Sequence, residues 1–117
     1  MKNNNKNSSR FYSSKQEDTV AKELCGRVQT NSGAGKFDKS DVIVEQASIL
    51  IECKTCETDK ESFSIKKSWI KKNKEECLTQ RVSNGVIAFN FGPDQENYYV
   101  IDTKLMKFLL EKLREED

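Results

Sequence analysis

Two apolar runs, Val42-Ile43-Val44 and Ser48-Ile49-Leu50-Ile51-Glu52-Cys53-Lys54, stand three residues apart, and that spacing constrains the fold more than any other feature. Short runs rich in β-branched and aliphatic residues suit a pleated, half-buried surface. With only Glu45, Gln46 and Ala47 between them, the runs are expected to turn back on one another as a hairpin. A lone hairpin is marginal in water, so other elements must cover it.

Those elements are legible on either side. Val20, Ala21, Leu24 and Cys25 follow helical spacing, with Ser13 or Ser14 as a cap and Gly26 as the stop. Residues 27–30 read as a short extended piece, and residues 31–40 as a glycine-rich loop. From residue 64 to about 78 the period turns helical. Ile65, Trp69, Ile70 and Cys77 share one arc, Lys67, Lys71 and Lys74 the opposite one, and Lys66 falls among the apolar residues. Residues 85–91 and 98–101 read as strands joined by a turn at Gly92-Pro93. Leu105, Phe108, Leu109 and Leu113 mark a last amphipathic helix. The order is helix, three strands, helix, two strands, helix. An α/β fold follows, a small mixed five-stranded sheet flanked by helices.

With 117 residues the chain suffices for one domain. Residues 1–16, rich in Asn, Ser and Lys, offer little apolar surface to offset ordering entropy, so they are expected to form a flexible tail on a single domain spanning 17–117. No stretch approaches the roughly 20 apolar residues of a membrane span, and no membrane partner is expected. The net charge of +1 says nothing about nucleic acid, yet six lysines fall between Lys60 and Lys74. A local basic patch can track a phosphate backbone.

The chain contains no histidine. That excludes Ser-His-Asp and Cys-His catalysis and the commonest zinc hydrolase sites. The four cysteines, 25, 53, 56 and 77, are too irregularly spaced for a disulfide scaffold. They read as buried or idle thiols, with a small zinc-stabilised binding protein as a rival reading of Cys53 and Cys56. Remaining chemistry must run on carboxylates, lysines, thiols or a metal held by oxygen.

Alternation along residues 48–54 sends Ile49, Ile51 and Cys53 to one face and Leu50, Glu52 and Lys54 to the other. Glu52 and Lys54 therefore end an apolar strand on one face. Hairpin pairing brings Asp41, immediately before Val42, beside the same end. Two converging carboxylates suit a hard divalent cation, magnesium or manganese. Such an ion polarises a phosphate and lowers the pKa of bound water, while a lysine orients that water or stabilises developing negative charge.

Asp41 followed by Glu52-Cys53-Lys54 resembles the D…E-x-K signature of the PD-(D/E)xK nuclease superfamily, and the wider order resembles its Holliday junction resolvase branch. Glu17 in the first helix, Ser32-Gly33-Ala34-Gly35 in the loop, Lys39-Ser40-Asp41 opening the strand and Ile51-Glu52-Cys53-Lys54-Thr55 complete the pattern. The resemblance implies a restriction-endonuclease-like core and a Mg2+- or Mn2+-dependent endodeoxyribonuclease. Asp41, Glu52 and the main-chain carbonyl of Cys53 would be metal ligands. Lys54 would act on the nucleophilic water, Glu17 would approach the metal, and Ser32 would contact the DNA backbone. Arg27, Gln29 and Lys36 around the loop, and Lys67 and Lys71 on the second helix, are further candidate DNA contacts. Ser40 stands where the family has Gly or Pro, which leaves Asp38 as a rival to Asp41, and Glu23 is a rival to Glu17. The partners implied are branched DNA, a four-way junction, and a second copy of the chain, with Trp69 and Tyr98-Tyr99 offering apolar surface. The expected setting is the cytoplasm of a bacterial or phage-infected cell. A nicking or restriction-type enzyme on linear DNA, and a silent DNA-binding module, are the alternatives.

Overall fold

The structure, a computed structural model, describes residues 5–29 and 41–115. Its elements run α1 (Asn5–Leu24), β1 (Arg27–Val28), β2 (Val42–Val44), β3 (Ile49–Lys54), α2 (Lys67–Gln80), β4 (Asn84–Phe89), β5 (Tyr98–Val100) and α3 (Thr103–Glu115). The five strands form one mixed sheet, as the periodicity predicts, and within it they lie in sequence order. β1, β2 and β3 pair antiparallel, β3 and β4 parallel, β4 and β5 antiparallel. The one parallel pair is where the chain crosses over through α2, since parallel neighbours need a long connection.

The predicted hairpin forms with Val42 opposite Ile51 and Val44 opposite Ile49. Its connection is a single 3-10 turn, Glu45–Ala47, closed by Ser48 in the left-handed region at φ 55°. The predicted alternation also holds. Ile51, with Val42, Val86 and Ala88, packs under Val20 and Ala21 of α1, whereas Leu50 and Ile43 pack against Cys77 of α2. The core thus lies on both faces of β3, and Leu50 and Ile51 are wholly buried.

Two helices differ from the sequence reading. α1 starts at Asn5, well before the caps expected at Ser13 or Ser14, so residues 5–16, read as tail, are helical. Their side chains lack an apolar period, but tertiary contacts supply what the pattern does not. Lys15 pairs with Asp94, Ser9 donates to Glu57, and Gln16 is buried. At the other end Cys25, not Gly26, takes the left-handed position (φ 58°), and the Gly26 N–H caps the Ala21 carbonyl at 2.8 Å. Gly26 serves close approach instead: a Cβ there would lie 2.6 Å from the Ile43 carbonyl oxygen.

α2 begins at Lys67 rather than near Ser64, with Lys66 as an extended N-cap. Phe63 stacks 5.3 Å from Phe89 and 6.1 Å from Trp69, which carries the preceding chain across the sheet end before the helix can start. α3 buries Leu105, but Met106, Phe108, Leu109 and Leu113 are exposed, Leu113 by 68%. Its amphipathic pattern is real, and most of the apolar stripe has no cover within the described residues. Among the described residues no helix is long and apolar enough to cross a membrane.

Candidate active site

Asp41, Glu52 and Lys54 come together through register alone. Val42 pairs with Ile51, which puts Asp41 across from Glu52, and a carboxylate oxygen of Asp41 accepts the Cys53 N–H at 2.8 Å. In an antiparallel ladder a residue's N–H and C=O face the same neighbour, so the Cys53 carbonyl points to the side on which Asp41 stands. Glu52 is 7% exposed, and its Oε1 makes no hydrogen bond among the described residues. Its other oxygen lies 3.5 Å from the Lys54 ammonium. That ammonium sits 4.7 Å above the Trp69 ring centre, a cation–π contact that holds it over the site.

Glu17 reaches the cluster from α1 and shares a side-chain hydrogen bond with Asp41. Burial, then the charge of Asp41, raises the Glu17 carboxyl to about 7, so near neutrality it can keep the proton it donates to Asp41. Burial also raises Asp41, opposed by the Cys53 N–H, the Glu17 hydrogen bond and the charges of Lys54 and Lys72. Glu52 is raised by burial and by Asp41, and lowered by Lys72 and Lys54. Burial pushes the Cys53 thiol far up, so it stays protonated. All four cysteines are free thiols.

Asp41 disfavours the charge of both Glu17 and Glu52, and with an orphaned buried oxygen on Glu52 the cluster is one whose strain a divalent cation could relieve. Among the described residues no three acidic, Cys or His side chains form a ready-made metal cage. Magnesium does not require one: it is held by one or two carboxylates, with water and substrate phosphate completing the shell. Asp41 and Glu52 are the two carboxylates here that could serve.

The other candidates are placed unevenly. Lys67 and Lys71 are exposed on α2 with no ion pair among the described residues. Lys74 is tied to Asp102 at 2.7 Å, and Arg27 to Glu45 at 2.9 Å, at the end of β2 away from Asp41. The Gln29 N–H donates to the Asp41 carbonyl, while its side chain donates to Gln80. Glu23 stands apart from the cluster, beside Tyr99. Ser32, Lys36 and the rival ligand Asp38 lie outside the described residues.

Lys72 is the residue the sequence reading missed. It bears on both Asp41 and Glu52 and lies 4.0 Å from Glu76. Counting three and four residues from Trp69 reaches Lys72 and Asn73 on the sheet-facing side, a step the sequence reading did not take although it placed Trp69 on the apolar arc. No family model, curated protein or solved structure matches the chain.

Proposed function

We propose that this protein is a metal-dependent endodeoxyribonuclease of the PD-(D/E)xK kind, with a restriction-endonuclease-like core, acting on branched DNA as a Holliday junction resolvase. The observation that carries the reading is the meeting of Glu17, Asp41 and Glu52, from three separate elements, with Lys54 at one end of the sheet. A magnesium or manganese ion held by Asp41 and Glu52, beside the Cys53 carbonyl, would supply an electrophile for the phosphate and a bound water of lowered pKa.

The protein's own groups then have distinct tasks. Lys54, fixed by the Trp69 face and by Glu52, orients the attacking water or stabilises charge on the phosphate oxygens. Glu17 holds or releases a proton beside Asp41 near neutral pH. Lys67 and Lys71 meet phosphates on the α2 side, with Ser32, Lys36, Arg27 and Gln29 as further contacts. Phosphate contacts carry no sequence information, so selectivity comes from DNA shape. The chain works as a homodimer, whose two sites make paired cuts. Its apolar contact surface includes the exposed stripe of α3 as well as Tyr98. The setting is the cytoplasm of a bacterial or phage-infected cell.

The test is incubation with a four-way junction, a matched linear duplex and single-stranded DNA, each with magnesium and with chelator. Preferential, magnesium-dependent cutting of the junction is expected. Equal rates on junction and duplex would replace the resolvase with a general nicking enzyme, and binding without cutting would leave a silent DNA-binding module.

A further inference from the structure

A cavity of about 280 Å3 opens between α1 and the turn joining β4 to β5, with Tyr12, Gln16, Thr55, Asn90, Pro93 and Asn97 among its walls. Gln16 and Asn90 are each 4% exposed and Asn97 9%. Three buried carboxamides around one cavity form a fixed hydrogen-bond frame, because backbone groups dictate which way each amide points. The Lys54 carbonyl can only accept, so it orients the Gln16 nitrogen, at 2.8 Å. The Gly92 N–H can only donate, so it orients the Asn90 oxygen, at 3.2 Å, which also accepts from Thr55 at 2.7 Å. The Asn97 oxygen accepts from both Gln16 and Asn90, at 3.0 and 3.2 Å.

Two groups are left over on the cavity-lining amides. Gln16 Oε1 has no hydrogen-bond partner among the described residues but is sealed from solvent, whereas Asn97 Nδ2 is open and donates to nothing among them. The open Asn97 donor, with Tyr12 and Pro93 as flat walls, suits a small planar molecule whose edge offers an acceptor. The surrounding charges choose further. Glu23 and Glu96 line the same cavity, and its Lys15 is committed to Asp94 at 2.5 Å. An anion would be repelled, whereas a neutral heterocycle with amino or imino hydrogens would not.

We infer that this cavity is a nucleobase pocket serving the candidate active site. The inference rests on the nuclease reading for its purpose, and on the amide frame for its chemistry. Two consecutive residue pairs are divided between pocket and site: Gln16 lines the cavity and Glu17 joins the carboxylates, Thr55 lines the cavity and Lys54 stands over Glu52. A base seated in the pocket brings its flanking phosphate toward the carboxylates. Extracting a base costs least where it is already unpaired, as at a strand exchange point.

Titration of the isotope-labelled chain with free nucleosides in chelator, followed by the side-chain amide signals of Gln16, Asn90 and Asn97, tests the pocket without metal or cleavage. Shifts of those signals are expected with nucleosides and not with glucose, and Asn97→Ala and Tyr12→Ala should each weaken the nucleoside affinity at least about tenfold. A folded protein whose amide signals ignore all four nucleosides overturns the pocket. A second measurement places 2-aminopurine at successive positions of the DNA. Fluorescence rising severalfold at one position, and lost in Asn97→Ala, supports base capture. Cleavage with no such rise overturns the pocket and leaves the nuclease standing. Nucleoside shifts without any DNA binding overturn the nuclease reading while the pocket survives.

Discussion

Replacing Glu17 by Gln should make the metal-free protein more stable, and only at pH values where Glu17 would otherwise ionise. The carboxyl is raised from 4.5 to about 7. The sign follows from proton linkage: the folded chain holds a proton that the unfolded chain releases, so stability is highest below about 4.5 and falls as pH rises through about 7. At about 1.4 kcal/mol for each tenfold change in proton affinity, the ceiling on the loss is ~3.4 kcal/mol. Glu17 is only half-buried, and water screening trims the expected effect to about 1–2 kcal/mol. Gln retains an N–H that can donate to Asp41, so the substitution removes the charge and keeps the hydrogen bond.

The assay is urea or thermal unfolding of both proteins in chelator at pH 4.5, 6, 7 and 8. At pH 8 the variant should gain about 1–2 kcal/mol, roughly 4–8 °C in melting temperature for a chain of this size. At pH 4.5 the two curves should nearly coincide, because the folded carboxyl is then neutral and the unfolded one only half ionised. Added magnesium or manganese should stabilise the wild type at pH 8. A variant less stable at every pH, or more stable by the same margin at every pH, would refute the claim that burial and Asp41 load this carboxyl. The expected gain is also the mark of a site kept at a cost to the fold, as functional clusters commonly are.

Other substitutions probe the remaining assignments. Asp41→Asn, Glu52→Gln and Lys54→Ala should each lower cleavage by on the order of 10²-fold or more with folding and DNA binding retained, measured by gel assay and circular dichroism. Normal cutting by Asp41→Asn alongside a dead Asp38→Asn would transfer the ligand role to Asp38. Lys67→Ala with Lys71→Ala should weaken binding to every DNA and flatten the slope of log affinity against log salt by about 1.8, two phosphate contacts' worth; an unchanged slope would remove these lysines from the interface. Leu109→Glu with Leu113→Glu should shift sedimentation from dimer to monomer at micromolar concentration, since buried charge without a partner is costly; a dimer that persists would place the contact elsewhere.

What could be read from the sequence was local in origin. The hairpin follows from two β-rich runs and a three-residue connection, and its register alone brings Asp41 opposite Glu52. Period-two alternation likewise puts Glu52 and Lys54 on one face without reference to the rest of the chain. The features that stayed hidden depend on contacts between residues far apart. Gln16 is a polar residue in a polar stretch, yet it is buried because Lys54, 38 residues on, and Asn97, 81 residues on, supply its partners. The same contacts extend α1 back through residues that look like tail. Lys72 bears on the carboxylates because Trp69 and Asn73 turn that side of α2 toward the sheet, and the packing of Asn73 against Gly85 is again long-range: a Cβ on Gly85 would lie 2.1 Å from the Asn73 oxygen. α3 shows the opposite limit. Its pattern states that an apolar stripe needs cover, but periodicity carries no information about which surface provides it, and within the described chain only Leu105 finds that cover. Patterns of period two therefore locate Asp41, Glu52 and Lys54, while Glu17 entered through the resemblance alone and the groups that tune the cluster are fixed by which elements dock on which face.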